Sequence, residues 1–141
     1  MEGIFLSYQD EKSGRFVVID EIDELIWAYL TFPYEERIDK DCFLGSRKEI
    51  TIESINLKEY KNRQIPPPMI KKFSTSKSWL KNLAKDEIKV EWKSENSIVK
   101  IKEEPFLLFT NNDERGFSKS ISKNGMYGNM WSQIKYDEIF K

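Results

Sequence analysis

In Ile4-Phe5-Leu6-Ser7-Tyr8, the residues Ile4, Leu6 and Tyr8 fall on one face at period two, the spacing of a half-buried strand. Asp10-Glu11-Lys12-Ser13-Gly14 then reads as a hairpin loop, with Gly14 free to take a positive φ. A second strand returns over 15–19. Leu25-Ile26-Trp27-Ala28-Tyr29-Leu30 is apolar on both faces, as a central strand should be. Phe32-Pro33-Tyr34 ends that run, and Cys42-Phe43-Leu44 predicts a short fourth strand.

The pattern changes in the middle. Asn56 to Lys61 combines a capping residue with good helix formers, so a short helix is predicted, stopping before Pro66-Pro67-Pro68. A second helix is predicted over Ser76–Lys85, with Trp79, Leu80 and Leu83 facing inward.

A second strand series follows. Ile88, Val90 and Trp92 alternate with Lys89, Glu91 and Lys93, a turn falls at Ser94–Ser97, and a strand returns over 98–102. Phe106-Leu107-Leu108-Phe109 is again doubly apolar. Phe117, Lys119 and Ile121 alternate with Ser118, Ser120 and Ser122 in a last predicted strand. Ser132–Phe140 predicts a terminal helix resting on Ile134, Ile139 and Phe140.

These elements predict an α+β fold, mostly antiparallel sheet from two meanders, with a short central helical connector and a C-terminal helix. One domain over residues 1–141 is the economical organisation. The alternative is two subdomains, 1–50 and 86–141, joined by a proline-rich, partly helical connector over 51–85. A chain of 141 residues can bury roughly two-thirds of its unfolded surface. Its hydrophobic share is modest at 39%, but 19 aromatic residues supply large apolar units.

Charge adds a polarity that the strand pattern does not show. The net charge is −1, yet residues 1–50 carry twelve acidic and six basic groups against twelve and seventeen over 51–141. Asp20-Glu21-Ile22-Asp23-Glu24 and the stretch from Glu35 to Asp41 are the densest carboxylate runs. Both fall in predicted turns beside strands, and neither has the glycine-containing spacing of a calcium loop. Lysines 77, 81, 85, 89 and 93 recur every four residues, with Lys71, Lys72, Trp79 and Trp92 nearby. That stripe suits a phosphate backbone, but glutamates at 87, 91 and 95 interrupt it, so a solvated face is favoured and nucleic acid is not the expected partner.

Several chemistries are excluded by composition. The chain has no histidine and one cysteine, Cys42, which rules out Ser-His-Asp and Cys-His catalysis, imidazole zinc sites and an internal disulfide. It carries no phosphate loop, dinucleotide fingerprint or nucleophile elbow. Five Ser-x-x-Lys spacings occur among 13 serines and 18 lysines, a frequency that such a composition produces without catalysis. No cofactor or metal is expected, no apolar run is long enough for a membrane helix, and cytoplasmic residence is the default.

Two small constellations remain. Arg115-Gly116-Phe117-Ser118-Lys119 combines a glycine turn with two cations and a hydroxyl, so Arg115, Ser118 and Lys119 are a candidate anion site. In the run Lys123 to Trp131, Asn124-Gly125 and Gly128-Asn129 mark two bends. Asn129 is placed to cap the last helix and Trp131 to staple it to the sheet. Met126 and Tyr127, at the tip between the bends, are predicted to face a partner.

The segments Arg63-Gln64-Ile65-Pro66-Pro67-Pro68-Met69, Arg115 to Ile121 and Asn124 to Trp131, with the Trp27-Ala28-Tyr29-Leu30 strand, resemble a family of small, functionally uncharacterised bacterial proteins. That resemblance implies no catalytic residue. In size, class and charge the chain is also similar to the immunity proteins that neutralise toxins in bacterial competition. The implied role is non-enzymatic binding of a toxin-like protein with a basic surface. Asp20, Glu21, Asp23, Glu24, Glu35 and Glu36 would meet it, with Tyr34 as the aromatic anchor. The alternatives are a small-ligand or nucleic-acid binding module using the lysine-rich second half, and an enzyme working through carboxylates with Arg115 and Lys119.

Overall fold

The computed structural model describes residues 3–56, 58 and 66–141. The helix expected over 56–61 lies almost wholly outside them. Four strands form the first sheet: β1 (Phe5–Gln9), β2 (Phe16–Ile22), β3 (Leu25–Thr31) and β4 (Ile38–Ser46). They pair antiparallel in sequence order. The second sheet runs β5 (Ile88–Lys93), β6 (Asn96–Ile101), β7 (Glu104–Phe109), β8 (Phe117–Ser118) and β9 (Asn129–Met130). It is antiparallel through β8, and β9 adds in parallel. Helix α1 (Gln133–Phe140) closes the chain. The fold is therefore α+β and dominated by antiparallel sheet. Among the described residues, no helix is long and apolar enough to cross a membrane.

One buried cluster draws on both sheets and on the connector. Val17, Ile19, Trp27, Leu30 and Phe43 of the first sheet pack with Val99, Ile101, Leu107 and Phe109 of the second, and with Met69, Ile70 and Leu83 between them. Backbone and side-chain contacts also join the sheets at both margins. The Tyr8 hydroxyl donates to the Ile88 carbonyl at 3.2 Å on one side. On the other, the Phe43 N–H donates to the Tyr127 carbonyl at 2.8 Å.

The doubly apolar Phe106–Phe109 run has a physical reason. Val99 and Leu107 face the shared core, while Ile98 and Leu108 face the opposite way, into a second cluster with Phe117 and Tyr136 beneath α1. The second sheet is thus covered on both faces. The terminal helix buries Tyr136, with Ile139 and Phe140 packed beside it, whereas Ile134 is exposed. Its cap is Ser132, whose Oγ accepts from the Lys135 N–H at 3.3 Å, and not Asn129, which is in β9. Trp131 packs against Tyr136 at 5.7 Å between ring centroids, as the staple reading requires.

Three expectations fail for identifiable reasons. Over 76–85 there is no helix, only 3-10 turns at Ser76–Ser78 and Lys85–Glu87. The backbone there bonds elsewhere: the Leu80 N–H donates to the Ser46 carbonyl at 2.7 Å, extending the end of β4. Trp79 consequently points outward, half-exposed, with its indole N–H on the Arg47 carbonyl. The last predicted strand stops at Ser118 because the chain turns there, and Ser118 and Ser120 are fully buried and not on a solvent face. Ser120 Oγ donates to the Leu44 carbonyl.

The third failure is the Lys123–Trp131 loop, which folds inward. Gly125 and Gly128 exchange backbone hydrogen bonds, and Tyr127 between them has no exposed surface. Gly128 has φ +130°, and a Cβ there would lie 2.8 Å from the Cys42 sulfur. Only a glycine allows that approach to the core. Tyr127 packs against Trp27, Phe43 and Phe73, and its hydroxyl donates to the Pro68 carbonyl at 2.7 Å. It is a core residue, and the assignment of Tyr127 to a partner surface is overturned. Met126 is half-buried against the same cluster.

Candidate functional site

The turns of the first sheet fall at two ends. Asp23 and Glu24 form the two-residue β2–β3 turn, both in left-handed backbone with φ 53° and 68°. Tyr34, Glu35 and Glu36 lie in the β3–β4 loop. The seven residues of β3 separate the two groups by about 20 Å. The acidic N-terminal third is therefore not one patch. Asp20 sits between them on β2, its carboxyl raised by burial. Glu21 turns inward and pairs with Arg47.

At the β3–β4 end, a polar cleft of about 580 Å³ opens between the start of β4 and the loop after β7. It is lined by Ile38, Asp39, Lys40 and Asp41 on one wall and by Asn111–Arg115 on the other. A neighbouring hollow of about 320 Å³ shares Asn111, Asn112 and Asp113 and continues past Glu95 to Lys135 and Glu138 of α1. The loop residues thus form a common wall between two hollows.

The cations of this groove are committed to holding it in shape. Lys40, only 8% exposed, donates to the Thr110 carbonyl at 2.6 Å and the Asn111 carbonyl at 3.2 Å, tying β4 to the far wall. Burial pushes its pKa down, opposed by the carboxylate of Asp39. Arg15 is buried behind Asp39, bonding its carboxylate and the Thr31 carbonyl. Arg115 lies 3.7 Å from Asp41 and also bonds the Met126 carbonyl. Burial raises the Asp41 carboxyl, and Arg115 only partly offsets that. Burial would also raise Asp113, but hydrogen bonds from Lys135 and Thr110 outweigh it and hold that carboxyl below its usual range.

The carboxylates along the rim are less committed. Among the described residues, Glu95, Glu114 and Glu138, which line the two hollows, form no ion pair, nor does Glu36 in the β3–β4 loop. The groove therefore presents free acceptors around a framework of satisfied cations, an arrangement that suits a cationic ligand. No group of three or more histidine, cysteine, aspartate or glutamate side chains among the described residues is placed to hold a metal ion.

Tyr34 stands at the entrance to β4. It is 74% exposed and has φ 57°, a left-handed conformation uncommon for a bulky residue. Its N–H donates to the Gly14 carbonyl at 2.7 Å, and its ring lies so close over Gly14 that a Cβ there would approach within 2.5 Å. The β1–β2 loop thus holds an exposed aromatic ring in a fixed place.

The expected anion site does not assemble. Arg115 is engaged by Asp41 and the Met126 carbonyl, and Ser118 is fully buried with its Oγ accepting the Ser120 N–H. Lys119 lies instead over the Trp131 ring, 4.9 Å from its centroid. The three side chains have separate partners.

The groove's far wall was not recognised from the sequence. Asn111-Asn112-Asp113-Glu114 carries no motif that singles it out. The carboxylates over Glu35–Asp41, with Tyr34 and Arg115, were what the sequence singled out at this end of the molecule. Comparison with protein-family models, curated proteins and solved structures finds no match to this chain.

Proposed function

We propose that this chain is a non-enzymatic protein-binding domain that captures a basic partner, in the manner of cytoplasmic immunity proteins that block bacterial toxins. Tyr34 carries this reading. Its left-handed backbone costs about 1–3 kcal/mol and its ring gains little burial, so its placement is hard to explain by folding alone. Rigid, exposed aromatic residues are the side chains that most often anchor protein interfaces. The loop that carries it leads into the exposed Ile38 on the near wall of the acidic groove, whose unpaired carboxylates complement a cationic surface and speed its approach. The partner face is thus Tyr34, Glu35 and Glu36 with the groove, while Asp23 and Glu24 lie at the other end of the sheet.

Capture from a lysate of the source organism, followed by purification of the retained protein, tests this directly. The captured partner is expected to be basic. Tyr34→Ala should weaken it about thirtyfold, the effect of losing an interface anchor. Glu36→Lys with Glu114→Lys should chiefly slow association and weaken its dependence on salt. All three positions are exposed, so melting temperatures should be unchanged. A partner retained equally well by these variants would overturn the reading.

A further inference from the structure

Two stretches of this chain contain no aspartate or glutamate: residues 60–85 and 115–136. The fold lays residues 72–75 of the first beside 119–122 of the second. Ser74 and Ile121 form an antiparallel bridge, the Thr75 N–H donates to the Ser120 carbonyl at 3.0 Å, and the Ser122 N–H donates to the Phe73 carbonyl at 2.8 Å. Side chains repeat the linkage: Thr75 Oγ1 donates to the Lys119 carbonyl and Ser122 Oγ to the Lys72 carbonyl. Lysines from two distant segments therefore gather on one narrow ribbon.

Aromatic rings hold these ammonium groups without cancelling their charge. Lys72 and Lys123 flank the ring of Phe73 at 5.7 and 5.9 Å from its centroid, and Lys119 lies over Trp131. Burial lowers the pKa of Lys119, and nearby Lys77 adds to that while the carboxylate of Glu104 opposes it. Of the ribbon's lysines only Lys71 has an ion pair among the described residues, an exposed contact of 3.9 Å with Glu53. The four-residue lysine stripe expected over 77–93 does not form, because no helix spans it. Lys89, for example, pairs with Glu103.

We infer that this ribbon, centred on Lys72, Lys77, Lys119 and Lys123, binds the phosphodiester backbone of single-stranded nucleic acid. The ammonium groups follow a strip of chain and not the walls of a groove, and among the described residues no helix or hairpin projects from it to enter a duplex. Phe73 and Trp131 are both half-buried, so bases would meet ring edges beside the lysines, and recognition would be of backbone more than sequence. This surface is separate from the groove proposed for the protein partner, and either can fail without the other.

Fluorescent oligo(dT) and oligo(rU), a matched DNA duplex and phosphatidylserine vesicles are the probes. Four phosphate contacts predict that log K for the single strands falls with log salt at a slope of about −3 between about 50 and 200 mM. Lys72→Glu with Lys123→Glu should weaken binding about tenfold or more and flatten that slope by about 1.4. Lys12→Glu, in the β1–β2 loop, should leave it within about twofold if phosphate contacts reside in the ribbon. Circular dichroism and melting temperature verify that each variant folds. Absence of salt-dependent strand binding, preference for the duplex or for vesicles, or an equal effect of Lys12→Glu would each overturn the assignment.

Discussion

Replacing Tyr127 with alanine is expected to remove about 3–5 kcal/mol of stability, the range for deleting a fully buried aromatic side chain. The melting temperature should fall by about 10 °C or more. The ring touches Trp27 and Phe43 from the first sheet and Phe73 from the connector, so its loss opens a cavity where three parts of the fold meet. Relaxation is restricted there because Gly128 and Cys42 are already in close approach. Tyr127→Phe separates the ring from the hydroxyl. It keeps the packing but leaves the Pro68 carbonyl without the Tyr127 hydroxyl, which should cost about 1 kcal/mol. Urea unfolding of both variants measures the difference. A loss below about 1 kcal/mol for Tyr127→Ala would contradict the packing described, since even partial collapse of such a cavity leaves more.

The same residue explains what sequence periodicity can and cannot reveal. β1, β2, β3 and β5–β7 were legible because each buries residues at period two, or on both faces, in a contiguous run. Met126 and Tyr127 lie between two turn signals, a context in which large side chains look exposed. Whether such a loop projects or folds in depends on a space formed by Trp27, Phe43 and Pro68, far away in the chain. Ser118 and Ser120 are buried for a related reason: a segment wedged between sheets buries polar side chains that find carbonyl or amide partners there. Around Trp79 the local helix pattern was outweighed by backbone bonding to Ser46.

The candidate surfaces were legible only in part. Glu35–Asp41 appeared as dense charge, but its opposing wall, Asn111–Glu114, is brought in by the Lys40 bonds to Thr110 and Asn111. The basic ribbon required knowing that two acid-free stretches lie together. Acidic residues counted in the sequence also proved unequal, because charge density does not distinguish a carboxylate on the surface from one held inside by an arginine. Asp39 and Glu21 are of the second kind.

Glu21 gives that distinction its most direct test. Its side chain and that of Arg47 are 11% and 9% exposed, paired at 3.2 Å. Glu21 Oε1 also accepts the Ile4 N–H, and the guanidinium extends to the Leu83 carbonyl, so the pair joins the N-terminus, β2 and the connector. Glu21→Ala leaves a largely buried guanidinium without its carboxylate and is expected to destabilise the fold by about 3 kcal/mol. Glu21→Gln retains an acceptor for Ile4 and should cost less. Adding Arg47→Met to Glu21→Ala should recover part of the loss, with a coupling of about 1–3 kcal/mol in the double-mutant cycle. Partner affinity per folded molecule should not change, since this carboxylate is turned away from the groove. If Glu21→Ala instead melts with the wild type and weakens partner capture, Glu21 belongs to the binding surface and the inward ion pair is not what holds it.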